Sequence, residues 1–219
     1  MITYEEIKKN EELNTYITLA DESLLALGFT EHSFAHVTKV ALGAEYILTK
    51  LGADAHTVEL AKIAGYMHDI GNLVNRIDHS QSGAIMAFRI LDHLDMPARD
   101  VATVVTAIGN HDEGTGVAVN DVAAALILAD KCDVRRSRVR NREASTFDIH
   151  DRVNYSVTSS DMKINDECTE IILSLEIDTS ISPVMDYFEI FLGRMVMCRK
   201  AAEKLGLRFR LMINSQQII

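Results

Sequence analysis

Six side chains among the first 130 residues have the types and spacing to hold a cation. His36 lies in His36-Val37-Thr38-Lys39-Val40-Ala41. His68 and Asp69 are adjacent in Ala64-Gly65-Tyr66-Met67-His68-Asp69-Ile70-Gly71-Asn72. His79 opens His79-Ser80-Gln81-Ser82-Gly83-Ala84, His111 follows Ala107-Ile108-Gly109-Asn110, and Asp130 closes Leu126-Ile127-Leu128-Ala129. A polar pair directly after the apolar run Ile63-Ala64-Gly65-Tyr66-Met67 belongs inside a bundle. Burying imidazole and carboxylate there is costly unless they find partners. A divalent cation accepts neutral imidazole and carboxylate together, and helical bundles place such ligands inward from facing helices. Asp130, at the end of its own apolar run, repeats the argument.

The elements that must position these groups are mostly helical. Apolar residues recur at helical spacing over residues 11–27, with Gly28 after them, and over 33–51, closed by Gly52. Further helices are expected over 55–69, closed by Gly71, over 80–94, and from Pro97 to His111; a sixth starts at the cap Asn120-Asp121. Each of the six candidate ligands therefore sits at or near a helix end. After about residue 151 the pattern changes. Residues 153–158 and 170–177 alternate and are rich in β-branched types, 182–205 read as a long amphipathic helix with Gly206 behind it, and 207–214 alternate again. The expected fold is mainly α: a helical domain over 1–150, then a small β-β-α-β antiparallel appendage over 151–219.

The series His36, His68-Asp69, Asp130 resembles the core ligands of the HD superfamily of metal-dependent phosphohydrolases, across about residues 30–140. His79 followed by Gly83-Ala84, and His111 after Ala107-Ile108, are similar to its dinuclear branch. That branch includes HD-domain diadenosine tetraphosphate hydrolases and, more distantly, HD-GYP phosphodiesterases. Ile127-Leu128-Ala129-Asp130-Lys131-Cys132-Asp133 resembles the closing segment of such proteins. The chain departs from the HD-GYP pattern at Asn72, where those enzymes have Lys, and at Asp112, where they have a second His; their Gly-Tyr-Pro motif is absent. A cyclic dinucleotide substrate is therefore not supported.

The resemblance implies an HD-type helical bundle and a metal ligand set of His36, His68, Asp69, His79, His111 and Asp130. Six ligands exceed what one tetrahedral zinc takes. Two cations bridged by Asp69 fit the count: His36, His68 and Asp130 on one, His79 and His111 on the other. A metal-bound hydroxide would then attack a phosphate ester or anhydride of a small nucleotide-like substrate, with Asp69 and His68 as the catalytic pair. Nitrogen and oxygen donors without thiolate suit Fe, Mn, Co, Ni or Zn. Lys131, Arg135, Arg136 and Arg138 follow the last ligand and are candidates to bind substrate phosphate; Arg76 is a weaker one. His32, His56, His93 and His150 are expected at the surface or as caps.

Composition narrows the partners. With 22 Lys and Arg against 32 Asp and Glu, the formal charge is −10, which disfavours a long nucleic acid or an anionic membrane. Hydrophobic content of 47% excludes disorder as the main state. No apolar run is long enough to span a bilayer. Residues 1–6 lack the basic start of a signal peptide. Cys132, Cys168 and Cys198 form no CxxC pair, so a reducing cytoplasm is expected. The partner so implied is a small phosphorylated molecule, with the appendage supporting a homodimer or shaping the active-site entrance. Two rival readings keep the same residues: an HD-type di-iron oxygenase, and a non-catalytic nucleotide-binding sensor.

Overall fold

The computed structural model describes residues 2–219. The chain begins with α1 (Tyr4–Lys8) and α2 (Glu11–Ala26), followed by α3 (Phe34–Lys50), α4 (Ala55–Met67), α5 (His79–His93), α6 (Ala98–Gly109) and α7 (Asp121–Lys131). Capping side chains set the starts. Asn10 accepts from Leu13, Ser33 from Ala35, Asp54 from Thr57, and Asn120 from Ala123. Gly28 and Gly52 follow α2 and α3 with φ of 82° and 76°, the left-handed conformation that releases a chain from a helix.

Helix α7 is the centre of the bundle. Every residue from Val122 to Lys131 is buried, and Val122–Ala129 is apolar on all sides rather than amphipathic. It packs against α3, α4 and α6. Small residues permit the close approaches. A Cβ on Gly43 would stand 3.0 Å from Ala129 Cβ, and one on Gly65 would stand 2.7 Å from Ala41 Cα, so α3 touches α7 and α4 nearly backbone to backbone.

Gly71 differs from its expected role. Helix α4 ends at Met67, His68 and Asp69 lie in the turn beyond it, and Ile70–Leu73 form a short 3-10 turn. Gly71 is not the helix's left-handed stop. A Cβ there would run into the backbone of His79 and Gly83, so its bareness lets the turn carrying Asp69 lie directly on the start of α5.

The second half corrects two expectations. Residues 153–158 are not one strand. Asp148 caps a helix, α8 (Ile149–Ser156), by accepting from Asp151 N, and the first strand, β1 (Val157–Ile164), starts only where that helix ends. The division placed at 150/151 thus falls inside α8. It is followed by β2 (Glu170–Ile177), α9 (Val184–Lys204), β3 (Arg208–Ile213) and the two-residue β4 (Gln216–Gln217). The sheet is also not wholly antiparallel. Its order is β1-β2-β3-β4, and β2 pairs with β3 in parallel, Ile171 opposite Phe209 and Leu173 opposite Leu211. A crossover of 21 helical residues between those strands carries the chain back to its starting end, which favours parallel pairing. The outer pairs are antiparallel, and Asn214 and Ser215, at φ of 49° and 64°, make the tight turn into β4.

Helix α9 buries Tyr187, Phe191, Met195, Cys198 and Ala202, a helical stripe that packs on α7 and on β3. The bundle and the sheet therefore share one hydrophobic core. No helix among the described residues is long and apolar enough to cross a membrane. Gly65→Ala should lower stability by at least about 1–3 kcal/mol, since the added methyl meets main chain that cannot yield, and should reduce the metal retained on purification. Denaturant unfolding and metal analysis check it.

Candidate metal centre

All six expected ligands are buried and meet at one place. Each arrives from a helix end: His36 from the first turn of α3, His68 from the cap of α4 with Asp69 beside it, His79 as the first residue of α5, His111 just beyond α6, and Asp130 from the last turn of α7. His36, His68 and Asp130 bring ligating atoms within 4.8 Å of one another, and so do His68, Asp69 and His111.

The histidines share one arrangement. His36 Nδ1 lies 2.8 Å from Asp133 Oδ2, His68 Nδ1 2.8 Å from Gly65 O, His79 Nδ1 3.1 Å from Arg76 O, and His111 Nδ1 2.6 Å from Ile108 O. Four oxygen acceptors at Nδ1 hold a ring proton there and turn four Nε2 atoms inward. His36 Nε2 and His68 Nε2 are buried with no hydrogen-bond partner. His79 Nε2 and His111 Nε2 stand 3.2 Å apart, two lone pairs facing each other. Such an arrangement is satisfied by a cation, and the residues present fit one.

Asp69 stands between the imidazoles. Its Oδ2 lies 3.1 Å from His68 Nε2 and 3.5 Å from His36 Nε2, while its Oδ1 lies 3.6 Å from His79 Nε2 and 3.9 Å from His111 Nε2. One carboxylate oxygen thus faces each imidazole pair. Asn72, the departure noted above, donates to Asp69 Oδ1 at 3.0 Å and fixes that division. Asp130 Oδ1 is 3.3 Å from His36 Nε2 and 3.7 Å from His68 Nε2.

Protonation suits cation binding. Burial alone would raise the Asp69 and Asp130 carboxyls, but His68 beside the first and Lys131 beside the second hold both well below the usual carboxylate range. Burial pushes His79 and His111 down, so both rings are neutral acceptors. His36 is the exception. Burial and Arg138 would lower it, but Asp130, Asp133 and Asp69 outweigh them and raise it to about 9.

The centre forms the floor of a cavity of about 370 Å³, with Asp69, His79 and Asp130 in its lining. Of the four residues expected to bind substrate, Lys131 and Arg138 line it and Arg135 and Arg136 do not. Arg135 is spent on Asp133, Ser137 and Glu31. Arg136 donates to Tyr155 O and lies 4.6 Å from the centre of that ring. The run of arginines is not one patch. The backbone beyond α7 turns, and the guanidiniums fasten several segments: Arg138, like Arg135, to Glu31 and Asp133, Arg136 to Tyr155, and Arg140 to Asp21.

Other groups were not foreseen. His32 and His150 line the cavity rather than serving only as surface residues, and Arg194 and Glu113 line it too. Asp133 was legible only as part of a motif, yet it holds His36 and is itself held by Lys39 at 2.8 Å. Arg194 had no local signal at all, since its place depends on α9 packing against α7.

The profile of the HD domain family matches residues 33–154. The chain belongs to the HD domain family. HD domains bind divalent metals, and the resemblance to HD-superfamily metal-dependent phosphohydrolases stands on that match. The uncharacterized protein MJ1020 of Methanocaldococcus jannaschii is 29% identical over 200 residues, spanning 79% of this chain and 76% of that protein. A predicted HD superfamily hydrolase from an uncultured Thermotogales bacterium, known from its crystal structure, is 24% identical. That likeness covers 62% of this chain and 75% of the other, with a TM-score of 0.42.

Two outcomes are expected at this centre. Asp133→Asn removes the charge behind His36 and should weaken metal binding about 10–100-fold, read by titrating metal into the stripped protein. Binding a cation at His36 also expels the proton it holds below about 9. Affinity should therefore rise with pH, by up to about tenfold per pH unit for that one proton, and level off above that pKa. An affinity flat between neutral pH and 9 would contradict the assignment of His36.

Proposed function

We propose that this protein hydrolyses a phosphate ester or anhydride of a small nucleotide-like substrate, using two divalent cations held by His36, His68, Asp69, His79, His111 and Asp130. The observation that carries the reading is the division of Asp69: one oxygen toward His36 and His68, the other toward His79 and His111, on the floor of a cavity that Lys131 and Arg138 also line. A carboxylate so placed is suited to bridge two ions, each completed by its own imidazoles.

Divalent cations in such a site supply Lewis acidity toward phosphoryl oxygens and a lowered pKa for the attacking water. The chain does the rest. Asn72 and the four Nδ1 acceptors keep the ligands in place without rearrangement. Lys131, whose Nζ lies 2.8 Å from Asp130 Oδ2, sets a cation beside the reacting phosphoryl group. Arg138 adds another, its Nε and Nη1 tied to backbone carbonyls so that the guanidinium is already oriented. Leu27, Phe29, Ile190 and Phe191 add apolar surface to the cavity lining, which suits a flat base. The volume admits a small molecule, and the charge of −10 repels a long polyanion.

Asp69→Ala should lose metal and lower turnover of phosphate esters by more than about 100-fold, beyond the loss typical of a residue that only supports a ligand. Metal analysis and a phosphate-release panel on natively purified protein test it. Full activity and metal content in that variant would sink the reading. So would iron-dependent oxygen consumption by the wild type with no phosphate released.

A further inference from the structure

Helix α9 lies outside the residues matched by the family, yet Ile190, Phe191 and Arg194 line the cavity over the metal centre. Arg194 is held there firmly. Its side chain is only 19% exposed, its guanidinium lies 4.2 Å from the centre of the Phe191 ring, and its Nε donates to Glu113 Oε1 at 2.7 Å. The same Glu113 oxygen is 3.6 Å from Lys131 Nζ. One carboxylate oxygen therefore sits between a cation from α7 and a cation from α9.

We propose that Lys131 and Arg194 form a second anion seat in this cavity, that Glu113 fills it in the free protein, and that the substrate carries a second phosphoryl group that takes the place of Glu113. The proposal rests on the phosphohydrolase reading and adds the substrate class: molecules with two linked phosphoryl groups rather than one.

The chemistry of the three groups supports the exchange. A guanidinium and an ammonium facing one oxygen serve a phosphoryl group better than a carboxylate, because more charge and more acceptor oxygens are offered to the same donors. Glu113 is the member able to leave. It lies on the connection between α6 and α7, its side chain is 32% exposed, and it is followed by Gly114, around which an added Cβ would find only Asp112 Oδ2, at 3.8 Å. Arg194, stacked on Phe191, stays. Lys131 joins this seat to Asp130, so the second phosphoryl group would bind next to the one at the metals. A substrate with one phosphoryl group leaves Glu113 in place and gains nothing from Arg194. The seat therefore discriminates by what it fails to offer as well as by what it binds.

Methylphosphonate and methylenediphosphonate, which this chemistry cannot cleave, test the seat by calorimetric titration of the natively purified, metal-loaded protein. Metal content is measured after each run, so that stripped cation is not mistaken for binding. Wild type should prefer methylenediphosphonate. Arg194→Gln should weaken that probe by about tenfold or more while changing methylphosphonate by less than about twofold, as expected for one lost charge-assisted contact. Glu113→Gln should strengthen methylenediphosphonate several-fold. Equal weakening of both probes by Arg194→Gln, or no weakening, would overturn the seat. So would a methylenediphosphonate affinity unchanged or reduced in Glu113→Gln, a variant on an exposed connection that decides the matter if Arg194→Gln does not fold. Wild type that binds methylphosphonate as well as methylenediphosphonate overturns the seat alone. Wild type that binds neither overturns the phosphohydrolase reading too.

Discussion

The structure turns on an imbalance at one buried point. Four imidazole Nε2 atoms and the carboxylates of Asp69 and Asp130 converge where water is largely excluded, and the ring protons are drawn outward to Nδ1 by Asp133, Gly65, Ile108 and Arg76. Acceptors then face acceptors. Two nitrogens, His36 Nε2 and His68 Nε2, have no hydrogen-bond partner at all. Inside a bundle such a grouping is unfavourable unless a cation joins it.

The rest of the fold arranges that convergence. No ligand comes from the middle of a helix; all lie in first turns, last turns or the residues just beyond, so five helix ends deliver six ligands to one spot. Their separations depend on how closely the helices approach, which explains the bare positions. Gly65 sets α4 against α3, which brings His68 to His36. Gly43 sets α3 against α7, which brings His36 to Asp130. Gly71 sets the turn bearing Asp69 on α5, which brings His79 to it.

What could be read from the sequence follows the range of the interactions. His68-Asp69 stood out because an apolar run leads straight into two ionisable residues, and that contradiction is local. The helices carried capping side chains and glycines within a few residues of their ends. Residues 153–158 misled, because β-branched alternation there competes with a helix start fixed by Asp148, five residues upstream. The arginines after Asp130 misled for another reason: composition reports charge but not direction, and Arg135 and Arg136 point to Asp133 and Tyr155 rather than to the cavity. Arg194 was illegible. Its role is set by the packing of α9 on α7, across more than sixty residues of chain.

The acidic character of the chain and the phosphorylated substrate proposed for it are reconciled at the cavity itself. Its lining holds Arg76, Lys131, Arg138 and Arg194 against Asp69, Glu113, Asp130, Asp148 and Asp151. Without cations a phosphoryl group would meet a surface in which carboxylates outnumber basic side chains. Divalent charge at Asp69 and Asp130 reverses that balance locally, since bound ions dominate the field of a small site. The same carboxylates that repel an anion are therefore what make the cavity attractive to the ions. On the proposed reading, phosphate binding is conditional on metal binding by charge alone, before any ligand contact between the two is considered.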